Sequence, residues 1–118
     1  MDTLIIGNQS RREIRERIVR VWKTGKAEQA ARLDFPDISD AWKVLSDKRR
    51  AIIQAMAGQG PLSIREIARR VGRDVRAVHS DVRTLHYAGV IDKTEDSRMI
   101  LPYKIIRFEF TVEAQKAA

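Results

Sequence analysis

The chain has 118 residues, 43% of them hydrophobic, a length and composition that fit one domain with a short extension and give enough apolar material for a core. It has no Cys, which excludes a disulfide scaffold, a thiolate metal site and a cysteine nucleophile and suits a reducing cytoplasm. The 23 Lys and Arg outweigh 16 Asp and Glu, and the excess falls in two blocks, residues 1–33 and a stretch around 65–83 in which every basic residue is Arg. A basic stripe of that kind is the footprint expected for a polyphosphate partner, although a solvated helix face has the same composition.

The N-terminal run Met1 to Ile6 is too short, and lacks the basic flank, for a signal peptide, and no apolar run is long enough to span a membrane. Residues 3–6 read as a short strand. Ser10 and Glu13 then have the spacing of a capping box, and a helix is predicted over 11–24. Ile14, Ile18, Val21 and Trp22 form its apolar stripe, and Gly25 is the expected stop. That stripe must be buried somewhere, and we expect a dimer contact through it ahead of packing on its own domain or on a foreign protein. Residues 26–31 are an ambiguous connector. Arg32 to Phe35 alternates as a second short strand, ended by Pro36.

Ile38 to Leu45 is expected to be helical, with Trp42 and Leu45 inward. Ser46 caps a helix over 47–57 whose inner side is Ile52, Ile53 and Met56. Gly58-Gln59-Gly60-Pro61 breaks it. Ser63 and Glu66 form a second capping box, opening a short helix with Ile64, Ile67, Ala68 and Val71 inward and Gly72 as its stop. Arg73-Asp74 is a turn, with Asp74 as N-cap of a longer helix over 75–88. Val90 to Lys93 reads as a strand and Glu95 to Arg98 as a polar turn. Ile106, Phe108, Phe110 and Val112 alternate with Arg107, Glu109 and Thr111, so one face is expected buried and one wet, and the second arm of a hairpin is placed there. Residues 113–118 are expected to be frayed.

A capped two-turn helix, a glycine turn, a longer helix and a following hairpin describe a winged helix-turn-helix. At about 100° per residue, Val75, Val78, Val82 and Leu85 share one side of the long helix. The other side carries Arg76, Ser80, Arg83, Thr84 and Tyr87, with Ala77 among them and Arg73 just ahead. Asp81 lies on the flank. Guanidinium and hydroxyl groups without a carboxylate are what a major groove accepts: Arg forks onto guanine, and hydroxyls bond either base partner. Arg73, Arg76, Ala77, Ser80, Arg83 and Thr84 are therefore assigned to base reading. Ser63, Arg65, Arg69, Arg70 and Tyr87 are assigned to phosphates, and Arg98 to the tip of the wing.

The segment Leu62-Ser63-Ile64-Arg65-Glu66-Ile67-Ala68, with Val71-Gly72, Val78, Val82-Arg83-Thr84-Leu85 and Ala88-Gly89-Val90-Ile91, resembles winged helix-turn-helix regulators of the MarR and ArsR type. With Arg73-Asp74-Val75 and Pro102-Tyr103 the whole chain looks closer still to small stand-alone prokaryotic DNA-binding regulators, some encoded beside toxin genes. The resemblance implies a mainly α fold with a small β wing, and a strand-helix extension at the N-terminus. The elements themselves set the expected bounds at 1–37 for the extension, a dimerisation segment through the apolar stripe of 11–24, and 38–112 for the DNA-binding unit, with a homodimer and no cofactor expected. The resemblance further implies double-stranded DNA as partner and a repressor's role in transcription. A protein toxin is a further possible partner.

Two other classes of function compete with this reading. His79 and His86 share a helix, but two turns hold them about 10.5 Å apart, too far for one metal. No Ser-His-Asp constellation or Gly-rich phosphate loop is legible, so an enzyme is not expected. A protein-interaction module on the same fold is the remaining alternative.

Overall fold

The computed structural model describes residues 2–26 and 30–114. Its elements are β1 (Thr3–Gly7), α1 (Arg11–Thr24), β2 (Ala31–Asp34), α2 (Ile38–Val44), α3 (Asp47–Met56), α4 (Ile64–Val71), α5 (Val75–Tyr87), β3 (Asp92–Lys93), β4 (Met99–Ile100) and β5 (Ile105–Glu109). The architecture is mainly α with two small sheets. Part of the ambiguous connector, 27–29, and part of the C-terminal tail, 115–118, lie outside the described residues.

Local sequence accounts for the helix starts. Ser10, Asp37, Ser46, Ser63 and Asp74 each accept a backbone N–H of the first turn they precede. The capping box at Ser63 and Glu66 is complete. At Ser10 only half of it forms: the hydroxyl accepts the Glu13 amide, while Glu13 meets that hydroxyl at 3.3 Å. Gly72 ends α4 at φ +66°, a left-handed conformation that a β-carbon disfavours.

One continuous core runs through the molecule. Ile52, Ile53 and Met56 of α3, Ile67 and Ala68 of α4, and Val78, Val82 and Leu85 of α5 are buried together with Leu45, Val90, Ile91, Met99 and Leu101. Leu4 and Ile6 of β1 and Phe35 belong to the same cluster. Four residues expected inside are not: Phe108 in β5 and Val112 just beyond it are 40% and 81% exposed, and Trp42 and Val75 depart as well. Trp42 is 53% exposed and lies against Phe110 at 4.9 Å between ring centroids, and Val75, in the first turn of α5, is 42% exposed.

The strand after the polar turn departs most from the expectation. The hairpin expected over 90–112 is limited to β3 and β4, which pair antiparallel as Asp92–Ile100 and Lys93–Met99. The chain then leaves that ribbon, and β5 pairs parallel with β1, from Thr3–Ile105 to Gly7–Glu109. With β2 on the other side of β1, the order is β2-β1-β5. Central β1 thus takes partners from both ends of the chain. Gly7 is required by this arrangement: a β-carbon there would lie 2.6 Å from the Glu109 carbonyl oxygen. Asn8 extends the join, donating to the Thr111 carbonyl at 2.9 Å and accepting the Thr111 amide at 3.0 Å.

Helix α1 is linked to the strand region through polar contacts of one side chain. Its Arg17 donates to Gln9 at 3.0 Å and sits 3.9 Å from the Asp34 carboxylate. Ile14 and Val21 are half-buried, and no residue of α1 is fully buried. Ile18 is 51% exposed and Trp22 is 86% exposed. The stripe therefore splits, with Ile14 and Val21 half-buried and Ile18 and Trp22 open.

Candidate nucleic-acid interface

Helix α5 presents Arg76, Ala77, Ser80 and Arg83 to solvent, with Thr84 half-exposed beside them. The core side of the same helix, Val78, Val82 and Leu85, fixes which face this is. Thr84 donates to the Ser80 carbonyl at 3.2 Å, an i to i−4 bond that leaves both side chains at the surface. Arg83 donates to the Tyr87 hydroxyl at 3.2 Å, and its guanidinium carbon is 5.3 Å from the Tyr87 ring centre. The contact orients Arg83 without neutralising it. Tyr87 itself is exposed, and the His86 ring lies beside it at 6.1 Å.

Arg73, expected on this face, is drawn off it. Its guanidinium lies 2.8 Å from Asp81, and Arg49 of α3 approaches the other carboxylate oxygen at 3.1 Å. Arg73 and Asp81 expose only 20% and 14% of their side chains, so the pair is largely withdrawn from water. The reason is positive charge on both sides of a single carboxylate, the only one in α5. Asp81 therefore fastens three pieces together: α3 through Arg49, the turn through Arg73, and α5 itself. Arg49 also donates to the carbonyls of Lys43 and Val44 at 3.0 and 3.3 Å, closing the end of α2. One Arg73 N–H group is buried without a partner among the described residues.

The residues assigned to phosphates divide in two. Arg65 and Arg69 are exposed on α4, and no ion pair holds either among the described residues. Arg70 is exposed and donates to Gln59 at 2.8 Å, a neutral partner. Ser63 instead spends its hydroxyl on the capping box, accepting the Glu66 amide at 3.1 Å and donating to its carboxylate at 3.2 Å.

Arg98 does sit in the turn of the β3–β4 ribbon, but it is paired with Asp96 at 2.8 Å. The Thr94 hydroxyl, which bonds Asp96, and the Arg98 guanidinium hold the Asp96 carboxyl below the usual carboxylate range. Falling pH therefore releases Arg98 only below that ordinary range. Ser97 completes the turn at φ +65°.

A groove of about 380 Å³ lies between α5 and the ribbon, lined by Ile64, Val82 and Met99 at its floor and by His79, Arg83, His86, Tyr87, Lys93 and Ser97. Lys93 is an addition to the residues expected from sequence. Its charge was visible in the sequence at the end of the strand before the turn, but its place beside α5 follows only from the fold. No carboxylate lines the groove. Among the described residues no group of acidic, His or Cys side chains is arranged to hold a metal, and no helix is long and apolar enough to cross a membrane.

Residues 44–108 match the family model described as HVO_A0114, a stretch running from the end of α2 through β5 and covering more than half of the chain. No curated protein matches the chain.

Proposed function

The chain belongs to the HVO_A0114 family, and from the residues its helices expose we propose that it is a sequence-specific, double-stranded DNA-binding transcriptional regulator, a repressor, and not an enzyme. In this reading α3, α4 and α5 with the β3–β4 ribbon form a winged helix-turn-helix. Helix α5 enters the major groove, and the ribbon meets the backbone or minor groove beside it. The supporting observation is the outer face of α5. Arg76, Ser80 and Arg83 stand exposed there, while the helix's one carboxylate is held at the flank by Arg49 and Arg73. Arg65, Arg69, Arg70 and Lys93 supply positive charge around that face for phosphate contacts, which position the protein without specifying sequence.

The roles are revised accordingly. Arg76, Ser80, Arg83, Thr84 and Ala77 remain the base-facing set, Arg73 becomes a positioning residue, and Ser63 serves the fold of α4. The protein acts in the cytoplasm as a homodimer, so that two α5 helices address successive half-sites.

Arg76→Ala and Arg69→Ala test the division of labour. Arg76→Ala should weaken binding to a preferred site by about 1–3 kcal/mol while leaving a scrambled site nearly unchanged. Arg69→Ala should weaken both alike. Competition titrations on matched and scrambled duplexes separate these outcomes, and equal losses for both variants on both duplexes remove Arg76 from base reading.

A second reading is favoured by the outer half of α1. There Ile18, Val19 and Trp22 are exposed in the midst of Arg11, Arg12, Arg15 and Lys23. This surface suits an antitoxin-like repressor that also holds an acidic protein partner, a toxin, or a protein-interaction module without DNA. Under the first of these, Ile18→Asp with Trp22→Asp keeps DNA affinity and loses the partner.

A further inference from the structure

β5 is the outer strand of the sheet, and no strand pairs with its open edge among the described residues. The amides of Ile105 and Thr111 turn toward β1, bonding Asp2 and Asn8. By the two-residue alternation of a strand, Ile106 and Phe108 turn their N–H and C=O groups to the open edge. Ile105 and Phe108 are exposed large apolar residues on this strand, and Val112 just beyond it is exposed as well. An apolar strand edge with free backbone groups is a template for a further strand, and a protein either blocks it or uses it.

The shape of the chain is that of a plate, with extents of 47 × 40 × 19 Å. Its radius of gyration is 16.2 Å, against about 13.5 Å for a compact chain of this length. Both figures suit a subunit whose sheet continues into another.

The order of side chains on β5 identifies the occupant. If two copies meet antiparallel about Phe108, Arg107 of each faces Glu109 of the other, twice. Ile106 faces Phe110, and Phe108 faces its own copy. Ile106 and Phe108 then stand at hydrogen-bonded positions, which their outward backbone groups require. Arg107 and Glu109 fall at the non-hydrogen-bonded positions, where side chains approach most closely. A shift that centres the pair on Arg107 sets Arg107 against itself and removes both ion pairs. A pairing of α1 with α1 is opposed by charge, since that helix carries six basic residues and two acidic ones.

We propose that β5 is a self-association edge: two copies of the chain join their β5 strands antiparallel, centred on Phe108, so that their three-stranded sheets become one. This deepens the homodimer of the preceding section by naming its contact, and it is independent of whether that dimer binds DNA.

Sedimentation equilibrium of the full chain without DNA, from low to high micromolar, tests it. The wild type should be dimeric. R107E puts acid opposite acid and E109R puts base opposite base, so each alone should dissociate with a Kd raised at least about tenfold. An equimolar mixture of the two should recover a 1:1 heterodimer, because both contacts then set an acidic side chain of one copy against a basic side chain of the other. The single chain carrying both changes should dimerise like the wild type. Within each subunit Arg107 already lies 3.7 Å from Glu109, and Glu109 lies 3.6 Å from Arg32, so each single variant has a cost within its own subunit, and recovery on mixing is what a purely local defect would not give. A monomeric wild type overturns the proposal, as do unchanged dimers of both single variants, failure of both the mixture and the double variant to recover, or dissociation by Ile18→Asp with Trp22→Asp.

Discussion

Ile6→Ala is expected to lower the stability of the protein by about 2–5 kcal/mol, the cost of removing a fully buried aliphatic side chain from a core that only partly closes behind it. Ile6 is fully buried in β1, in one cluster with Ile52, Ile67 and Leu85. It stands between Leu33 and Phe108 in the sheet register. The loss should therefore appear as one cooperative shift of the whole denaturation curve, followed by urea melts of backbone ellipticity. Deleting residues 1–37 should have a larger effect still, since it removes Leu4, Ile6 and Phe35 and leaves β5 without the strand it pairs with. If a 38–112 fragment melts cooperatively at the wild-type midpoint, the N-terminal segment is an appendage and the single-core description fails.

Asp81→Ala should cost about 2–4 kcal/mol, near the range for removing one member of a buried ion pair and reduced because the guanidiniums keep some contact with water. Two cations, Arg49 and Arg73, lose their shared carboxylate at once. The penalty comes mostly from leaving Arg73 unpaired in a place where one of its N–H groups already lacks a partner. The double variant Asp81→Ala, Arg73→Ala should therefore be more stable than Asp81→Ala alone, a sign that simple loss of packing would not produce. Thermal melts of the wild type, both single variants and the double variant complete the cycle. Additive losses would show that Asp81 and Arg73 are independent.

The helical part of the fold was legible in the sequence because its signals are local. Ser63 with Glu66, Asp74, and the 3.6-residue recurrence of Val78, Val82 and Leu85 each report on a single turn or helix, and the elements lie where they point. The strand at 105–109 was also visible, through its alternation. Its partner was not, because alternation states that a strand has two faces and says nothing of which edge it joins. β5 finds β1 about a hundred residues away in sequence, where Gly7 permits the close approach. Trp42 and Val75 depart from their expected burial for a related reason. Val75 is the first residue of α5 and Trp42 lies in the seven-residue α2, and a periodic pattern assigns each an inward side without stating what covers it.

The candidate interface shows the same division between local and distant information. The face of α5 followed from helical angles, and Arg76, Ser80 and Arg83 are exposed as a group. Arg73 carries the same charge and lies beside them in sequence, yet Asp81, eight residues on, holds it away. Lys93 reaches the groove from the ribbon, a neighbour of α5 only after folding. Charge could be counted from the sequence, but which charges are spent internally could not.

The central claim, that α5 and its surroundings bind duplex DNA, is tested most directly by measuring affinity for duplex selected from a random pool as a function of salt. Each released counterion contributes about 0.9 to the slope of log K against log salt. Arg65, Arg69, Arg70 and Lys93 around the α5 face imply several phosphate contacts per subunit, so a preferred sequence should be enriched and the slope should be steeper than about −3. A pool that stays random, with a slope of about −1 or shallower, would contradict the claim.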